Sequence, residues 1–121
     1  MTPFVAVLFP LCLVLLAGAS AAAHSLLLDA TPAPDAVLTA SPLQVRLRFN
    51  NRIEKSLSRV RLVDERGAVA AALIDARPTT PADSVDARVP PLAPGTWRVE
   101  WHVFSTDGHV VSGAYGFRLA P

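Results

Sequence analysis

The chain has 121 residues and a formal net charge of +1, from 11 basic and 10 acidic side chains. Both signs are interspersed along it, which excludes the footprint of a nucleic-acid binder or of a polybasic membrane surface. One Cys, at position 12, and one Met, at position 1, rule out a disulfide framework and leave no set of soft sulfur ligands of the kind that favours Cu(I).

Residues 1–23 carry no charged side chain, and residues 4–17 are mostly Val, Leu, Phe and Ala. An apolar run followed by Ala21-Ala22-Ala23 predicts an export signal over 1–23, cleaved so that His24 becomes the first residue. An uncleaved anchor is the alternative, since no Lys or Arg precedes the apolar run. Removing 23 of 121 residues leaves 98, residues 24–121, enough for one small domain.

The rest of the chain reads as short strands punctuated by turn residues. Residues 25–30 are an apolar run ending at Thr31-Pro32-Ala33-Pro34-Asp35, whose prolines forbid continuous ladder pairing and predict an edge strand. Over 43–49, Leu43, Val45, Leu47 and Phe49 alternate with Gln44, Arg46 and Arg48, the period of a half-buried strand. Asn50-Asn51-Arg52 breaks it. A second alternation over 58–63 sets Val60 and Leu62 against Arg59 and Arg61, and Asp64-Glu65-Arg66-Gly67 predicts a hairpin loop into a strand over 68–74. Residues 76–84 have loop composition, and 85–89 form a short strand before Pro90-Pro91. Residues 96–104 carry the longest strand signal, with Trp97, Val99, Trp101 and Val103 on one face as the heart of the core. A final strand covers 110–119. Seven short strands without helical periodicity predict an all-β fold, an immunoglobulin-like antiparallel Greek-key β-sandwich.

Asp107 and His109 stand either side of Gly108 in Ser105-Thr106-Asp107-Gly108-His109. In an extended segment they point to one face with Cα atoms about 6.5–7 Å apart and can converge on one ion. Alone this motif is weak, since Asp-Gly is also ordinary turn chemistry. His24 strengthens it. As an N-terminal residue it offers an α-amine and an imidazole nitrogen together, so that with His109 and Asp107 the donor set becomes three nitrogens and an oxygen. Such a tetragonal set suits Cu(II), with Zn(II) as competitor. His102 falls on the polar side of its strand, beside Arg98 and Glu100, and is read as an ordinary strand residue.

His24, Thr31-Pro32, Leu47-Arg48-Phe49, the segment Gly95–Trp101, and Ser105–His109 with Ser112-Gly113 and Phe117 together resemble the CopC-type periplasmic copper-resistance proteins. The resemblance spans the mature chain. It implies a monomeric, non-enzymatic periplasmic carrier that binds one Cu(II) per chain through His24, Asp107 and His109 and works beside a CopD-type inner-membrane copper-transport protein. Where some members carry a Glu after the Phe of the early strand, this chain has Asn51, a poor ligand, and the Met-rich loop of Cu(I)-binding members is missing. Two other readings stay open: a copper-dependent oxidative enzyme resembling lytic polysaccharide monooxygenases, which also use an N-terminal His, and a plain immunoglobulin-like interaction module.

Overall fold

The computed structural model describes residues 26–121 and the single residue Pro3. The rest of the predicted signal, and His24, lie outside the described residues. Eight strands follow one another: β1 (Leu27–Thr31), β2 (Val37–Leu38), β3 (Gln44–Phe49), β4 (Arg59–Asp64), β5 (Val69–Ile74), β6 (Ser84–Arg88), β7 (Gly95–Phe104) and β8 (Val110–Leu119). A single 3-10 turn, Lys55–Leu57, precedes β4. All seven expected strands are present, within two residues of their predicted ends. The eighth, β2, has only two residues and pairs parallel with β8.

The strands form one continuous sheet in the order β1-β3-β6-β5-β4-β7-β8-β2. Strand β5 turns the corner. Its first part pairs with β4 through Val69 to Ala72, and its end pairs with β6 through Leu73 and Ile74. The sheet therefore doubles into two layers, β1-β3-β6 and β4-β7-β8-β2, as a sandwich requires if each strand is to bury one face. Strand β1 lies at one edge, as its flanking prolines predict.

The alternations become the core. Val45, Leu47 and Phe49 of β3 are fully buried, as are Leu62 of β4, Val85 and Ala87 of β6, and Val99 and Val103 of β7. Phe49 meets Trp101 edge to face across the layers, ring centroids 6.4 Å apart, and Trp101 lies 6.0 Å from Tyr115. Burial pushes the Tyr115 phenol up to about 12. Strand β1 is held differently. Leu26 and Leu28 are exposed, so the ladder to β3 and the packing of Leu27 against the core fix its start.

Candidate metal centre

The candidate site sits at the end of the sandwich where three segments meet: the start of β1, the β3–β4 connection and the β7–β8 loop. Backbone hydrogen bonds tie the latter two together. Ile53 and Ser105 form an isolated bridge, Thr106 N–H donates to the Arg52 carbonyl (3.0 Å), and Glu54 N–H donates to the Phe104 carbonyl (2.8 Å). Ser58 Oγ reinforces the junction, accepting from Phe104 N–H and donating to the Glu54 carbonyl.

Asp107 and His109 are brought together, though not by an extended strand. Residues 106–108 form a turn between β7 and β8, with Gly108 at φ +89, a left-handed conformation that side chains rarely adopt. Gly108 N–H donates to the Ser105 carbonyl and Ser105 N–H donates to the His109 carbonyl, which closes the turn. His109 Nδ1 consequently stands 3.1 Å from Asp107 Oδ1. The convergence expected from strand alternation is produced by turn geometry instead.

Around the carboxylate is a set of donors that sequence reasoning left without a role. Ser105, buried, donates its hydroxyl to Asp107 Oδ1. The backbone N–H of His109 donates to the same oxygen at 3.0 Å. Asn51 Nδ2 donates both to Ser105 Oγ and to Asp107 Oδ2, each at 3.2 Å. The Ser105 hydroxyl, followed by the His109 N–H, holds the Asp107 carboxyl at about 2, below its ordinary 3.8, against a smaller opposing effect of burial. Oδ1 is thus committed to holding the loop. Oδ2 has one amide donor among these contacts and retains lone-pair capacity for a cation.

Asn51 lies at the centre as a hydrogen-bond donor to the carboxylate. The only signal for that in the sequence is its position directly after the strand-ending Phe49-Asn50. Next to it, Leu26 N–H donates to Asn50 Oδ1 (2.7 Å) and Asn50 N–H to the Leu26 carbonyl (3.1 Å), so the start of β1 is fixed beside the site. His102 is apart from it, half-buried on the outer side of β7 with Nδ1 2.8 Å from Ser112 Oγ. Among the described residues, no group of three or more His, Cys, Asp or Glu side chains could hold a metal. Asp107 and His109 supply one oxygen and one nitrogen donor, a pair that needs further ligands to complete a site.

Fold and site together define a small β-sandwich with a carboxylate–imidazole pair at one pole. The family model of the CopC domain matches residues 27–120, and the chain belongs to the CopC family. It is 33% identical over 100 residues to Protein YobA of Escherichia coli (strain K12), covering 80% of this chain and 79% of that one. With Copper resistance protein C of Xanthomonas campestris pv. juglandis it shares 32% over 110 residues, 86% of each chain. Among solved structures, CopC from Methylosinus trichosporium OB3b superposes with a TM-score of 0.74 at 33% identity, covering 81% of this chain and 95% of that one. PcoC from Escherichia coli, described as a methionine-rich copper resistance protein, gives 0.67 at 27%, covering 80% and 99%.

Proposed function

We propose that the protein is a periplasmic copper carrier whose mature form begins at His24. It holds one Cu(II) through the amine and imidazole of His24, the imidazole of His109 and the carboxylate of Asp107. The observation that carries this reading is the Asp107–His109 pair lying at the same pole as the start of β1. Leu26 is fastened to Asn50, the neighbour of Asn51, which donates to Asp107, so the first described residue of the mature chain starts beside the pair, as this reading requires. Relatives named as copper resistance proteins support a role in copper resistance, and family membership favours a carrier over an oxidative enzyme.

The donor set supports Cu(II) rather than Cu(I). Nitrogen and carboxylate ligands suit the cupric ion. PcoC is methionine-rich, whereas the one methionine of this chain is Met1. The function is capture, buffering and handover to a CopD-type membrane protein, without turnover. Because the nitrogen ligands must lose their protons to bind, affinity falls as the medium is acidified toward about pH 5.

Mass spectrometry of the secreted protein with and without Cu(II) tests both halves of the proposal. The expected result is a first residue of His24 and one copper per chain. Loss of an outer hydrogen bond alone costs about 10–100-fold in metal affinity. His24→Ala, or one extra residue ahead of His24, should therefore weaken binding by more than about a hundredfold. Unchanged affinity in the extended protein removes the amine from the site.

A further inference from the structure

The outward face of the β4-β7-β8 layer is unlike the rest of the surface. Side chains pointing away from the core there include Arg59 and Arg61 of β4, Arg98 of β7 and Arg118 of β8, all exposed, with Glu100 as the one acidic residue among them. The other basic side chains of the chain number seven against nine acidic ones. A nearly neutral molecule thus carries a positive face and a slightly negative remainder.

The pairing pattern leaves this face positive. Glu100 Oε1 is 2.9 Å from Arg61 Nη2, and its Oε2 is 3.0 Å from Arg98 Nη2. One carboxylate therefore orients two guanidiniums and leaves a net positive charge. Arg59 and Arg118 have no acidic side chain within ion-pairing distance among the described residues. On the opposite layer Arg46 pairs with Asp86 at 2.9 Å, and Arg48 stands across from Asp29 in register without an ion pair between them.

This face also has a groove, lined by Arg59, Arg61, Glu100, His102 and Ser112. Along the same two strands, two residues beyond the groove's His102–Ser112 register pair, comes Phe104–Val110, whose Val110 is exposed and follows His109 directly. The face is therefore continuous with the Asp107–His109 pole.

We propose that the outward face of β4, β7 and β8 is a docking surface for an acidic, extended segment of a partner protein. Arg59 and Arg61 are two residues apart on one strand, about 6.5–7 Å, which is the spacing of alternate side chains on an extended partner. Guanidinium forks match carboxylates two bonds at a time, and Glu100, by holding Arg61 and Arg98, lowers the cost of ordering those two. A fixed acid between two basic residues suits a partner with patterned charge better than the uniform negative charge of a lipid surface. Use of this face in copper delivery rests on the carrier reading. Binding at the face does not.

The test is calorimetric titration of the metal-free secreted protein with a synthetic peptide alternating glutamate and threonine. The same peptide with glutamine for glutamate, inorganic phosphate, and phosphatidylcholine vesicles containing phosphatidylserine are titrated beside it. The glutamate peptide should bind saturably and more weakly at higher salt, with the other probes ineffective. Arg59→Glu should weaken it about tenfold, and Arg59→Gln by less. Arg48→Glu, the same charge change on the opposite layer, should alter it by less than about twofold. Absence of peptide binding overturns the proposal. So does equal weakening by Arg59→Glu and Arg48→Glu, equal binding of the glutamine peptide, preference for the vesicles, or displacement by phosphate as a simple anion. Copper stoichiometry is measured on the same samples: failure of the carrier reading removes copper binding and leaves the peptide isotherm, and failure of the docking surface does the reverse.

Discussion

Asp107 illustrates how much one carboxylate can be asked to do at the surface. Ser105, the His109 backbone and Asn51 all donate to it, and its carboxyl sits at about 2 instead of 3.8. A group whose folded value is depressed contributes stability that is present above the ordinary value and is lost as pH falls through the folded one. In metal-free protein, the difference in melting temperature between the parent and Asp107→Asn should therefore shrink as pH falls from about 4 to about 2. Asp75, lowered to about 2 chiefly by its hydrogen bond to the Arg77 side chain, titrates over the same interval, so part of the acid sensitivity remains in Asp107→Asn. Parallel melting curves for the two proteins across that interval would show that Asp107 contributes nothing. At this scale the sequence made Asp107 and His109 visible because their residue types announce chemistry. Ser105 and Asn51 were not legible as partners, since a hydroxyl and an amide become informative only once the fold sets them beside a carboxylate.

The β7–β8 hairpin is the element on which the site depends. Its ten register pairs run from Gly95–Leu119 to Phe104–Val110, and the loop beyond carries the Asp107–His109 pair. Within it, Trp101 lies against Gly113: a Cβ at position 113 would run into Cζ2 and Cε2 of the indole. Gly113→Ala should therefore destabilise the domain by about 1–3 kcal/mol through overpacking, lowering the thermal midpoint. A midpoint equal to the parent's would mean that Trp101 repacks freely. Trp97, Val99, Trp101 and Val103 were readable in advance because a buried face repeating every second residue admits few other interpretations. The turn at 106–108 was less so, because an Asp-Gly pair fits both a strand start and a left-handed turn, and hydrogen bonds from Ser105 decide between them. Strand β2 escaped for a related reason. Two residues, Val37 and Leu38, carry no period, and their pairing with β8 is a contact across some eighty positions of sequence.

At the scale of the molecule, the corner at β5 is what the linear pattern could not reveal. Ala70 and Ala72 face β4 while Leu73 and Ile74 pair with β6, and nothing in that run of small apolar residues marks where one layer ends. The two-layer outcome was nonetheless predictable, since strands of this length with one apolar face must bury it against another sheet. The proposed cupric site joins the first strand to a loop more than eighty residues later, so occupancy should stabilise the whole fold. With free Cu(II) at about a hundred times Kd, linkage adds about 2.7 kcal/mol, roughly 10–20 °C for a domain this size. Calorimetry of the secreted protein should show that rise, and the protein extended by one residue before His24 should lose most of it. Strand β8 leads away from the Asp107–His109 loop for ten residues, about 30 Å. An affinity tag or a fluorescent reporter joined after Pro121 would hang from the far pole, whereas the same appendage ahead of His24 would block the amine that the proposed site requires.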